Sequence, residues 1–304
     1  MASPTESIER MGRTESVESI ESIESIESVE RIQHNARAEK KLAGKTAWVS
    51  GANKGIGEGV ARLFAAHGAK VAMIGRTAEE GVRIAGQIRN EGGEAFFIKC
   101  DVTDEAQIKA SIQETVSMYG TVDILINNAG TVEVKMLHEY TAAEWDRLMS
   151  LNVRSMFLSF KYAFPYLATH ERSYVVNIGS ISSFVGQDMT PAYTASKGAV
   201  LNLSKSIGLD YARYGIRCNC VCPGITDTPL LHSHLNTEKD PEAHYRKRLE
   251  RVPMNAPMYP SDIAKACLYF SCEDSSGITA TSLIVDGGYL GCAEWDASKY
   301  ERLH

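Results

Sequence analysis

Ser50-Gly51-Ala52-Asn53-Lys54-Gly55-Ile56-Gly57 decides the fold. It directly follows a short apolar run, Lys45–Ser50, and opens a segment, Ile56–His67, in which Ile56, Val60, Leu63 and Phe64 recur at helical spacing. A strand, a glycine-rich turn and a helix in that order predict a nucleotide-binding βα unit. Glycines there permit a tight turn, let the backbone approach a pyrophosphate, and pack the helix close to the sheet. The helix directs free N–H groups and its positive dipole end at that pyrophosphate.

Outward from this turn the same alternation repeats. Strand-like segments fall at Lys70–Ile74, Ala95–Lys99, Val122–Ile126, Tyr174–Ile178, Arg217–Val221 and Ser282–Val285. Helical segments lie between them: Thr77–Asn90, one capped by Thr103 and running to about Met118, Thr141 to about Leu167, 192–213 and 261–272. Strands alternating with helices predict an α/β fold: a doubly wound, Rossmann-type parallel sheet with helices on both faces, in a single domain over 42–288. Right-handed crossovers follow.

Residues 1–41 read differently. Val17, Ile20, Ile23, Ile26, Val29 and Ile32 recur every third position among Ser and Glu. A step of three slips the apolar position by about 60° around a helix, and a strand needs a period of two, so neither element gains a steady buried face. With nine Glu against six Arg and Lys, this is read as an acidic, disordered tail. Tyr289–His304 is a C-terminal extension whose Tyr289, Leu290 and Trp295 suit either packing on a neighbouring subunit or a loose end.

The bulk numbers narrow the function. The chain has 304 residues, 44% hydrophobic, with a net charge of −6 and no dense basic run, which argues against a nucleic-acid partner. No apolar stretch is long enough for a membrane span, and the polar N-terminus lacks a secretory h-region. Seven cysteines in no disulfide-like spacing fit a reducing cytoplasm. Cys218, Cys220 and Cys222 share one strand face. They read as small core residues, with a soft-metal site as the alternative. No His-Glu-x-x-His or similar pattern exists, so no metal is expected.

Candidate chemistry sits late in the chain. Tyr193 and Lys197, in Tyr-Thr-Ala-Ser-Lys, are four apart and share a helix face. A phenol is a poor base near neutral pH, and a neighbouring ammonium favours the phenolate. That pairing suits proton transfer at an alcohol or ketone oxygen. Ser180 lies thirteen residues before Tyr193, just past a strand, where its hydroxyl would steady a developing oxyanion.

The Gly-x-x-x-Gly-x-Gly spacing, Asn127-Asn128-Ala129-Gly130 after the fourth strand, and Ser180, Tyr193 and Lys197 in order resemble the short-chain dehydrogenase/reductase family, in its simple reductase branch. Ser50 departs from the usual Thr but keeps the hydroxyl. The resemblance implies an enzyme that moves a hydride between NAD(P)(H) and an alcohol or ketone. Asn152, Ser180, Tyr193 and Lys197 would be catalytic, with Asn152 holding a water on a proton path to Lys197. Gly51, Asn53, Lys54, Gly55, Ile56 and Gly57 would cradle the cofactor phosphates, Asp101 and Val102 would meet the adenine, and Asn128 would also bind the cofactor. Pro223, Gly224, Thr226 and Thr228 would face the carboxamide, and Tyr193 and Lys197 would also touch the cofactor. Gly75-Arg76 ends the second strand without an acid, and Lys54 adds a second cation. This favours NADP(H), with NAD(H) as the alternative. A homotetramer or homodimer is implied.

Pocket walls are expected from Thr131–His138, Ile181–Thr190 and Ile225–Tyr259, which include Val132, Val134, Met136, Phe184, Val185, Met189, Leu230, Leu231, Met254 and Met258. They suit a steroid or terpenoid. His138, Asp188, Asp227, His232 and His234 suit a sugar or polyol instead, and a 3-oxoacyl substrate also stays open. The polar stretch His232–Arg251 is expected to form a mobile lid. Two other functions remain: a non-catalytic NADP(H)-binding sensor or scaffold docking through the acidic tail, and a nucleotide-sugar epimerase, which the glycine spacing disfavours.

Overall fold

A computed structural model describes residues 40–235 and 239–292, without the side chain of His234. Nearly all of the acidic tail, and Trp295 with the rest of the C-terminal extension past Cys292, lie outside the described residues.

The strands are β1 (Thr46–Ser50), β2 (Lys70–Gly75), β3 (Glu94–Lys99), β4 (Ile124–Asn127), β5 (Ser173–Ile178), β6 (Ile216–Pro223) and β7 (Ser282–Val285). The helices are α1 (Gly55–Ala66), α2 (Ala78–Asn90), α3 (Glu105–Tyr119), α4 (Ala142–Met149), α5 (Ser155–Leu167), α6 (Pro191–Asp210), α7 (Pro229–Leu235), α8 (Pro241–Leu249) and α9 (Pro260–Phe270). One all-parallel sheet runs β3-β2-β1-β4-β5-β6-β7, as the alternating pattern predicts.

Side chains alternate across β1. Ala47 and Val49 join a core with Val60 and Phe64 of α1, Ile84 and Ile88 of α2 and Ile263 of α9. Trp48 points the other way, into a core with Ile108 and Ile112 of α3, Leu158 of α5 and Ile207 of α6. Fully buried, its indole N–H donates to Ser111 Oγ at 3.2 Å, which satisfies the polar edge of the largest core side chain.

Two readings need correction. Asp104, not Thr103, caps α3: its carboxylate accepts from the N–H groups of Ala106 and Gln107 at 2.9 and 3.2 Å. The expected helix from Thr141 to Leu167 is interrupted by a π turn at Ser150–Arg154, whose extra residue per turn leaves no trace in apolar periodicity. The polar stretch read as a lid carries the end of α7 and all of α8, with residues 236–238 outside the described set. In α8 no residue is buried, so no apolar stripe marks it; Pro241 at its first position and the Asp240 cap do.

Candidate active site

Strand order reverses between β1 and β4. From β1 the chain winds outward through β2 and β3, then returns to lay β4 on the other side of β1. Ligands of such sheets bind outside the carboxyl ends of the strands at this switch point. The cleft lies there, with a volume of about 300 Å³.

Its floor is the glycine turn. Gly51 and Gly55 have φ of +64° and +57°, where other residues are strained. A Cβ on Gly57 would lie 2.2 Å from Gly51 O, so α1 packs on the turn only if this residue is Gly. Ser50 ties the turn to β4: its Oγ accepts from the N–H groups of Asn128 and Ala129 at 2.9 and 3.1 Å and lies 3.3 Å from Ile126 O. Asn128 Nδ2 donates back to Ser50 O at 2.9 Å. Serine thus performs the whole hydrogen-bonding task at this position.

Gly51, Asn53, Lys54, Gly55 and Ile56 line the cleft, as do Arg76, Asp101, Val102 and Asn128; Gly57 supports it from behind. Lys54 and Arg76 are exposed and form no ion pair with a described residue. Neither Glu79 nor Glu80 reaches the cleft, and Glu80 pairs with Arg83. Asp101 is turned by its own chain: Oδ1 accepts from Thr103 N and Oγ1 at 2.9 and 2.8 Å. On the opposite wall stand Pro223, Gly224, Thr226 and Thr228. Bonds from Asp227 N to Met258 O and from Met258 N to Ile225 O, both 2.8 Å, brace this wall against the approach to α9. Glycine turn, cation pair and threonine wall together line one cleft at the carboxyl ends of the strands.

Ser180, Tyr193 and Lys197 line the same cleft. Lys197 is 4% exposed; its Nζ lies 5.6 Å from the centre of the Tyr193 ring and donates to Ile178 O at 2.8 Å. Asn152 does not line the cleft but sits fully buried behind it. Its Oδ1 accepts from Thr131 N at 2.9 Å, and its Nδ2 donates to Thr131 O at 2.9 Å and Ser196 Oγ at 3.0 Å. The carboxamide therefore clamps the segment after β4 to α6. Gly130 leaves room there: a Cβ on it would lie 3.3 Å from Asn152 Oδ1 and 3.7 Å from Lys197 Nζ.

Of the expected apolar wall, Val132, Leu230 and Leu231 line the cleft. Met258 does not, because it is buried in the core under α9. Val134, Met136, Phe184, Val185, Met189 and Met254 are exposed. Among the polar candidates, His138 and Asp188 are exposed outside the cleft, and Asp227 binds His232 at 2.6 Å. Gln187 and Arg248 of α8, each within a stretch expected to supply the walls though not among the side chains named there, also line the cleft. Nothing in local spacing marks either one, since each arrives by the path of a loop or an unburied helix. Cys100 also lines the cleft, and burial pushes its thiol up to about 11, so it is a neutral wall. Cys220 and Cys222 lie buried behind it with their sulfurs 3.6 Å apart. No group of three or more His, Cys, Asp or Glu that could hold a metal occurs among the described residues.

A doubly wound sheet whose switch-point cleft joins a glycine turn to a Ser, Tyr and Lys cluster defines a class, the nucleotide-dependent oxidoreductases. Comparison with known proteins narrows it. A family model described as enoyl-(acyl carrier protein) reductase matches residues 51–290. The 2-(R)-hydroxypropyl-CoM dehydrogenase of Xanthobacter autotrophicus is 35% identical over 251 residues, covering 81% of this chain and 98% of that protein. The L-fucose dehydrogenase of Oryctolagus cuniculus is 35% identical over 249 residues, covering 82% and 86%. The ligand-free structure of an aldohexose dehydrogenase from Thermoplasma acidophilum superposes with a TM-score of 0.77 at 32% identity, covering 84% of this chain and 98% of that one. The chain belongs to the short-chain dehydrogenase/reductase family and is an oxidoreductase acting on CH–OH groups. Membership implies a nicotinamide dinucleotide cofactor and a small-molecule substrate.

Proposed function

We propose that the chain interconverts a ketone and its alcohol with NADP(H), with proton transfer at Tyr193. The observation that carries this is the convergence of Ser180, Tyr193 and Lys197 on the cleft that Lys54 and Arg76 also line. Gly51, Asn53, Gly55 and Ile56 would hold the phosphates, with Gly57 behind them. Asp101, Val102 and Asn128 would hold the adenosine half, and Pro223, Gly224, Thr226 and Thr228 the carboxamide. When bound, the nicotinamide supplies or accepts the hydride.

The remaining steps belong to side chains of this chain. Ser180 and Tyr193 hold the carbonyl oxygen, and Ser180 steadies the charge that develops on it. Tyr193 gives that oxygen its proton. The Lys197 ammonium beside the ring favours the phenolate left behind. The proton returns past Lys197 from the side of Asn152, whose clamp on Thr131 and Ser196 holds that path in shape. Oxidation runs these steps in reverse.

Lys54 and Arg76, neither of which forms an ion pair with a described residue, support NADP(H) over NAD(H). Exposed Phe157 on α5 and Leu283 and Ile284 on the edge strand support a homo-oligomer. Seven free thiols support a reducing, cytoplasmic setting. No helix among the described residues is long and apolar enough to cross a membrane.

The test is consumption of reduced nicotinamide over a ketone panel spanning steroids, sugars, diketones and 3-oxoacyl thioesters. Activity should appear with NADPH and fall by about 10²–10⁴-fold in Tyr193→Phe. Cofactor binding without turnover of any ketone or alcohol would instead support a sensor or scaffold.

A further inference from the structure

Gln187 is held at both ends on the cleft wall. Its main-chain O accepts from Thr190 Oγ1, a hydroxyl on a nearly fully buried residue, at 3.3 Å. Its side-chain Oε1 accepts from Ser182 Oγ at 2.6 Å. The loop pays for this placement with backbone strain: Met189 has φ of +56°, and its O is pinned by Lys135 N at 2.6 Å.

Proton accounting fixes which way the amide faces. Ser182 N donates to Ser180 Oγ at 3.1 Å, and Ser180 Oγ in turn donates to Ser182 Oγ at 3.3 Å. Ser182 has one hydroxyl proton, and the short contact to Gln187 takes it. A separation of 2.6 Å suits O–H···O and is too short for N–H···O, so the carbonyl of the amide faces Ser182. Gln187 Nε2 is left with two donors and no hydrogen bond to a described residue. Val132, Ile181, Leu230 and Leu231, which line the same cleft, are apolar and offer no acceptor side chain. A substrate that fills this end and expels water would leave those donors unpaired unless it brings an acceptor of its own, and unpaired donors are costly.

We infer that Gln187 is a specificity-determining residue that donates through Nε2 to a second oxygen of the substrate, on the carbon next to the reacting carbonyl. The substrate class is then an α-hydroxy ketone, and in the oxidative direction a vicinal diol. This rests on the reductase reading of the same cleft.

The test uses the full chain with NADP+ present and titration calorimetry of a matched pair, 3-hydroxy-2-butanone and 3-methyl-2-butanone, which differ by a hydroxyl in place of a methyl. The wild type should bind the hydroxy ketone about fivefold or more tightly. In Gln187→Leu the preference should vanish. In Ser182→Ala, which frees the amide from its anchor, it should shrink, with thermal midpoints checking that both variants fold. A preference near one in the wild type, a preference retained in Gln187→Leu, or failure to bind either ketone overturns the inference. NADPH consumption with the same pair is scored separately. If the preference behaves as expected but neither ketone is turned over, the reductase reading falls while the donor role of Gln187 stands.

Discussion

Arg76 decides more than its neighbours because it stands just past β2, where the adenosine ribose of a bound cofactor would lie. A guanidinium grips a phosphate through two parallel bonds, and a charge-assisted bond is worth about 1.5–3 kcal/mol. Arg76→Ala should therefore lower kcat/KM with NADPH by about 10–100-fold while leaving NADH much less affected. Steady-state kinetics with both cofactors checks this, and an equal loss with both would remove Arg76 from 2′-phosphate recognition. Gly57 and Gln187 stand at opposite extremes of legibility. Glycine at 57 is demanded by a contact within its own turn, so local sequence shows it. Gln187 owes its role to Ser182 and Thr190 across a strained loop, and no spacing in the sequence announces that.

Among the elements, α4 is the most self-sufficient. Thr141 Oγ1 accepts from Glu144 N at 3.2 Å, and Glu144 Oε2 accepts from Thr141 N at 2.8 Å, a reciprocal cap readable as Thr-x-x-Glu. Lys135 adds bonds of 2.9 and 2.8 Å to the same carboxylate. The lysine, followed by the Thr141 N–H and hydroxyl, holds Glu144 down to about 2, from an ordinary value of 4.5. A depressed acid lends stability that is present above its unfolded value and is lost as pH falls toward the folded one. Glu144→Gln should accordingly lower the thermal midpoint at pH 7, and the gap to wild type should narrow from about pH 4.5 downward and close near pH 2, followed by calorimetry. A gap independent of pH would assign the loss to shape rather than charge. Thr141→Ala removes the other half of the cap and should cost about 1 kcal/mol. The π turn after α4 is the opposite case. It swings Asn152 inward to clamp Thr131, yet it reads as continuous helix in the sequence, because one extra residue per turn barely disturbs an apolar stripe.

Across the whole molecule, the parallel order around β1 brings residues from six strand ends to one cleft: Gly51, Arg76, Asp101, Asn128, Ser180 and Thr226. The same order leaves β7 at an edge with Leu283 and Ile284 exposed, and α5 presents Phe157. Sedimentation should give a mass that is a multiple of the 33.3 kDa chain, and Phe157→Asp should lower it if α5 lies in the contact. A monomer at all concentrations would retire the oligomer.

The sequence by itself determined the alternating strands and helices, because apolar periodicity is local and each β strand of a covered parallel sheet is a continuous apolar run. It also marked the glycine turn and the Tyr193–Lys197 pair, since both are fixed by spacing within one turn of chain. Only the tertiary structure decided that Met258 belongs to the core rather than the wall, that Arg248 and Gln187 reach the cleft, and that the Asn152 carboxamide is committed to Thr131 and Ser196. Those outcomes depend on which segments the sheet order lays side by side, and a pairing between residues that are distant in sequence leaves no period in either one.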